Sequence, residues 1–92
     1  MEFHPLFEYA DASVSPTILR YKGYRLFFFS REEKRMHVHI SCATGEAKFW
    51  LEPIVALAKN YGLTQKQLKE IQKVVKGKNL EITNAWKKHF RS

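Results

Sequence analysis

Residues 37–51 alternate. His37-Val38-His39-Ile40-Ser41-Cys42 and Glu46-Ala47-Lys48-Phe49-Trp50-Leu51 each place apolar side chains at every second position, with Thr44-Gly45 between them. Period-two alternation marks a strand with one buried face. A tight glycine-containing loop between two such runs makes an antiparallel hairpin. A turn at Thr44-Gly45 predicts Val38 opposite Leu51, Ile40 opposite Phe49 and Cys42 opposite Ala47, an apolar side that belongs to a core. The other side then carries His37, His39, Ser41, Lys48, Trp50 and Glu52, with His39 opposite Trp50 and Ser41 opposite Lys48. A slip of one residue would bury Lys48 and the histidines together, which the pattern disfavours.

A second hairpin precedes this one. Thr17–Tyr21 and Tyr24–Ser30 are rich in β-branched and aromatic residues, and Lys22-Gly23 between them suits a two-residue loop. That loop sets Tyr21 opposite Tyr24, Leu19 opposite Leu26 and Thr17 opposite Phe28. Ile18, Arg20, Arg25, Phe27 and Phe29 fall on the other face. The second strand is apolar on both faces, so a central position is expected. Residues 31–36 read as a charged connection, and residues 1–15 as an irregular arm broken by Pro5, Asp11, Ser13 and Ser15.

After Leu51 the period becomes helical. Pro53 suits a first helical position, and Ile54, Leu57, Ala58 and Tyr61 form an i, i+3, i+4, i+7 stripe ending at Gly62. Thr64-Gln65-Lys66-Gln67 is a capping box. It opens a helix with Leu68, Ile71, Val74 and Val75 on its apolar face and Gly77 at its end. A last helix runs from about Leu80 to Phe90, with Ile82, Trp86 and Phe90 in line. Strands first and helices after predict an α+β domain over residues 16–92: an antiparallel meander of about four strands, then three helices packed on one face. The other sheet face is expected to be partly open.

A chain of 92 residues supports one core. Its single cysteine, Cys42, excludes an internal disulfide and a multi-cysteine zinc site. No run approaches the ~20 apolar residues of a membrane span. The start, Met1-Glu2-Phe3-His4-Pro5, lacks signal-peptide character, so a cytoplasmic location is expected. The net charge of +7 is unevenly spread: residues 1–58 hold seven Lys/Arg and seven Asp/Glu, whereas residues 59–92 hold nine and two. A basic field so concentrated attracts a polyanion or an acidic protein. Lys66, Lys69, Lys73 and Lys76 lie within about 80° of arc at ~100° per residue. Lys87 and Lys88 add a basic last turn. A stripe of this kind fits a phosphate backbone, and equally a solvated helix surface.

His37 and His39 point the same way from one strand, roughly 7 Å apart by strand rise. Imidazole titrates near neutral pH. One of the pair acting as base and the other as acid, with Lys48, Arg31 or Arg35 as the cation, would suit attack on a phosphodiester. Binding without catalysis and a purely structural role are the rival readings. A metal pair needs further ligands, for which only Glu52, His4 or His89 are available; no metal or cofactor is expected. Trp50 invites base stacking, or a covering partner. Arg20 opposite Arg25 is a like-charge pair, which an anion would relieve. Cys42 falls on the core face, and a nucleophile needs exposure and an adjacent base.

From Pro16 onward the chain resembles a small prokaryotic family, domain of unknown function 4160. The resemblance is carried by Pro16-Thr17-Ile18, Gly23-Tyr24-Arg25, Phe27-Phe28-Phe29-Ser30, Glu32, His37-Val38-His39-Ile40 and Ala47-Lys48-Phe49-Trp50-Leu51. It continues through Pro53, Ala58, Tyr61-Gly62, Leu68 and Ile71 to Ala85-Trp86 and Phe90. Arg35-Met36 stand where members often carry two prolines. The resemblance implies a bacterial toxin–antitoxin setting, with this chain as toxin and a neighbour of the domain of unknown function 2442 type as cognate antitoxin. The expectation is a toxin-like component of a type II module, acting on RNA or the translation machinery. Its sites would be His37, His39 and Lys48, with Arg25, Arg31, Arg35, Trp50, Lys66, Lys69, Lys73, Lys76, Lys87 and Lys88 holding nucleic acid. Expected partners are the antitoxin, RNA and a second copy of the chain, with no membrane. The alternative is a non-enzymatic protein- or nucleic-acid-interaction module whose histidines are structural.

Overall fold

The computed structural model describes residues 17–29 and 34–90. Arg31 and the 1–15 arm lie outside the described residues. Five strands, β1 (Thr17–Tyr21), β2 (Tyr24–Phe27), β3 (His37–Cys42), β4 (Gly45–Trp50) and β5 (Ala56–Tyr61), form one antiparallel meander in the order β1-β2-β3-β4-β5. Two helices follow, α1 (Gln65–Gly77) and α2 (Asn79–His89). The fold is α+β, with five strands and two helices among the described residues in place of about four and three. None of the described helices is long and apolar enough to cross a membrane.

The difference lies at residues 53–61, where no helix forms and Ala56–Tyr61 is strand β5. Lys48 pairs with Lys59, but the next β4 residue, Phe49, pairs with Leu57, so Ala58 is an extra residue in a bulge. The bulge breaks the alternation and leaves Leu57, Ala58 and Tyr61 at helix-like spacing. A core-facing helix would bury that stripe; here Ile54, Leu57 and Tyr61 are exposed. The strand ends where the Asn60 carboxamide bridges to Leu63, donating to its carbonyl at 3.0 Å and accepting from its N–H at 3.1 Å.

The β3–β4 hairpin turns at Ala43-Thr44, one residue earlier than predicted. His37 pairs with Trp50, Val38 with Phe49, His39 with Lys48 and Ile40 with Ala47. Each partner is displaced by two residues from the expected register. An even displacement keeps every side chain on its predicted face. Gly45 is needed within the strand and not in the turn, because a Cβ there would overlap the Tyr61 carbonyl oxygen. In the first hairpin Tyr21 pairs with Tyr24 and Leu19 with Leu26, as the Lys22-Gly23 loop requires, and Lys22 adopts φ 53. An irregularity between Thr17 and Leu19 sets Thr17 opposite Phe27 and not Phe28.

Leu26, Phe28, Val38, Ile40, Ala47 and Phe49 form the core with Leu68, Ile71 and Val75 of α1 and Ile82 and Trp86 of α2. Each large side chain fully buried here is worth about 1.5–3 kcal/mol. The capping box of α1 is formed: Gln67 N–H donates to Thr64 Oγ1 at 3.1 Å, and Thr64 N–H donates to Gln67 Oε1 at 2.9 Å. Tyr21 and Lys22 both donate to Glu70, at 3.2 and 2.9 Å, tying the first hairpin to α1.

Candidate functional site

The antiparallel pairings align side chains into rows on the sheet face away from the core. One row runs Arg20, Arg25, Ser41, Glu46, Tyr61 across all five strands. The next runs Thr17, Phe27, His39, Lys48, Lys59, and a third His37, Trp50, Ala56. The structure thus brings Arg25, His37, His39, Lys48 and Trp50 onto one face. Arg20 opposes Arg25 as predicted, and Lys48 opposes Lys59, so two like-charge pairs cross this surface. Burial and the neighbouring Arg20 lower the Arg25 pKa. Its Nε donates to Thr17 Oγ1 at 2.6 Å, and its guanidinium lies 4.3 Å from the Phe27 ring centroid.

The expected openness of this face is not found at its centre. Glu46, His37, His39 and Lys48 are 1%, 2%, 4% and 6% exposed. Aromatic rings enclose the imidazoles: Phe29 at 4.3 Å and Phe27 at 5.6 Å from His39, Trp86 at 5.1 Å from His37, and the two imidazoles 4.9 Å from one another. Trp50 and Arg25 are half-buried, and Arg20, Lys59 and Tyr61 remain exposed.

The two histidines differ chemically. His37 Nδ1 lies 2.8 Å from the Arg35 carbonyl oxygen. A carbonyl only accepts, so Nδ1 carries the proton, and in the neutral ring Nε2 holds the lone pair. His39 is pushed down to about 2 by burial first, then by His37, Lys48 and Lys59. It is neutral at physiological pH and has no imidazolium proton to give. A general acid or base works best with a pKa near the operating pH, and His39 is far from it.

Trp50 is engaged by the chain's own cations. The Arg35 guanidinium lies 4.1 Å from its ring centroid and the Lys48 ammonium 4.5 Å. Arg35 is held by its Nε donating to the Glu52 carbonyl at 3.1 Å. A base stacking on Trp50 would compete with these cation–π contacts. Among the described residues no three His, Cys, Asp or Glu side chains gather as a metal site would require. Cys42 is half-buried against the core, with Sγ 3.5 Å from Thr44 Oγ1.

The lysine stripe lies elsewhere. Lys66, Lys69, Lys73 and Lys76 are all exposed on α1, whose opposite side, Leu68, Ile71 and Val75, packs into the core. The sheet therefore separates the stripe from the histidine face. Lys87 and Lys88 are exposed on the last turn of α2. Lys22–Glu70 and Lys78–Glu81 are ion pairs among the described residues, and the stripe is in neither.

Sequence reasoning missed Glu46, Lys59 and Tyr61 on the histidine face. Glu46 stands two residues before Lys48, so alternation alone would have placed it there. Lys59 and Tyr61 were hidden by the helical reading of β5.

No curated protein and no solved structure matches the chain. Residues 23–87, which hold β2 through most of α2, match the family model described as Domain of unknown function (DUF4160), and the chain belongs to that family.

Proposed function

We propose that this protein is a toxin-like component of a type II toxin–antitoxin module, acting in the cytoplasm by binding RNA through the lysine surface of its helices. The observation that carries this is the α1 stripe. Lys66, Lys69, Lys73 and Lys76 are exposed, regularly spaced and outside the ion pairs of the described residues. Over ten residues they span roughly 15 Å of helix. Lysine is a flexible point charge that suits phosphate oxygens without reading bases. Lys87 and Lys88 are two further exposed cations, on the last turn of α2. The toxin setting and the antitoxin of the domain of unknown function 2442 type are supported by the family resemblance.

His37, His39 and Lys48 are structural on this reading. The burial of all three and the neutral state of His39 favour binding over acid–base cleavage. A protein-interaction module is the second reading, favoured by the exposed apolar edge at Ile54, Leu57 and Tyr61. Salt separates the two. RNA held by lysines should weaken steeply between ~50 and ~200 mM salt through counterion release, whereas an apolar docking edge should not. Retention of RNA on the immobilised protein across that range is the test.

A further inference from the structure

We infer that the edge of β1 away from β2, unpaired among the described residues, takes an extended acidic segment of a partner protein, paired as a further strand and clamped between Arg20 and the lysines of α1. This deepens the RNA reading by naming what would regulate the same lysines. The strand addition itself stands on separate observations.

The sheet has two edges, and they differ in charge. β5 presents Leu57 and Tyr61 with one cation, Lys59, and exposed Ile54 stands two residues before the strand. β1, paired among the described residues only with β2, is flanked by cations on both sides of the sheet. On the histidine face, exposed Arg20 opposes Arg25. On the core face, Tyr21 and Val74 line an open cleft of about 800 Å³ with Lys69, Lys73 and Lys76. Glu70, the one acid lining that cleft among the described residues, is engaged by Lys22 and Tyr21.

A strand laid along Leu19-Arg20-Tyr21 would project alternate side chains to opposite faces. Acidic residues on one side would meet the exposed Arg20. Those on the other would meet Lys69 and Lys73. Main-chain hydrogen bonds supply affinity in such strand addition, and side chains supply selectivity. A basic or neutral strand has nothing to gain from either flank. Because Lys69 and Lys73 are shared, the acidic strand and RNA would exclude one another.

The test uses the full chain and a fluorescein-labelled (Glu-Glu-Val-Val)₂ peptide, which places acids on both faces of a strand, beside (Lys-Lys-Val-Val)₂ and a (Glu-Glu-Val-Val)₂ analogue interrupted by prolines, which cannot donate along a strand. Binding is followed by anisotropy, and the edge is identified by amide exchange. The expected result is binding of (Glu-Glu-Val-Val)₂ with slowed exchange in β1, weakened about tenfold or more by Arg20→Glu and by the proline analogue. Equal binding of the proline analogue would overturn strand addition. So would protection in β5, or no binding at millimolar peptide. Arg20→Glu and Lys69→Glu are exposed-site changes, and circular dichroism checks that they fold. RNA retention is measured without peptide on the same samples. Peptide binding with no RNA retention leaves the strand standing and defeats the RNA reading alone.

Discussion

His39 faces Lys48 directly across the β3–β4 ladder, and both side chains are buried. A protonated imidazole there would sit in a poorly solvated site beside Lys48 and near Lys59. Those conditions drive its pKa down to about 2. The unfolded value is about 6.5, so between the two the unfolded chain binds more protons. The protein therefore carries no penalty from His39 above about pH 6.5. It loses stability as pH falls below that, by at most about 1.4 kcal/mol per unit. Denaturant melts from pH 7 to pH 4 should show this slope, and His39→Gln should flatten it. An unchanged slope in His39→Gln would assign the acid sensitivity to another group.

Two glycines fix how β5 meets the β3–β4 turn. A Cβ on Gly45 would overlap the Tyr61 carbonyl oxygen, and one on Gly62, at φ +95, would overlap the Thr44 carbonyl oxygen. Both obstacles are backbone, so neither can swing aside. Gly45→Ala and Gly62→Ala should each cost roughly 1–3 kcal/mol, read as a fall in Tm of ~4–8 °C per kcal/mol. Gly23→Ala, where a Cβ meets nothing within 4 Å, is the control and should change Tm far less.

The same glycine shows what could be read from the residues alone. Gly45 looks like a turn glycine, and Thr44-Gly45 was the natural place to fold the hairpin. Its actual role is to let a strand not visible in the sequence, β5, approach β4. The faces survived the error because alternation fixes parity, while register depends on the turn. The first hairpin turns where Lys22-Gly23 places it, and Thr64 and Gln67 cap α1 as their spacing requires. β5 was illegible because the Ala58 bulge converts a period of two into one that mimics a helix. On the site, co-facing of His37, His39, Lys48 and Trp50 follows from the alternation. Their burial does not, since a strand pattern says which face a side chain takes and not what covers it.

A host cell offers a direct comparison of the two sides of the sheet. If the lysine surface acts and the histidines are structural, induction of the wild-type chain arrests growth. His39→Gln at matched soluble expression should still arrest it, and Lys69→Glu/Lys73→Glu should not. Growth curves after induction check this. Arrest lost with His39→Gln and kept with the lysine variant would return the activity to the histidine face.

RNA binding through the α1 stripe is the central claim, and its salt dependence tests it most directly. Four lysines engaging a single strand give a slope of log K against log salt of roughly −2.8, and two give roughly half that. Anisotropy of a labelled RNA titrated with protein at several salt concentrations should therefore show a steep slope for the wild type. Lys69→Glu/Lys73→Glu should bind weakly, with a slope shallower by about 1.4. No binding at ~50 mM salt, or the same affinity and slope in the variant, would contradict the account.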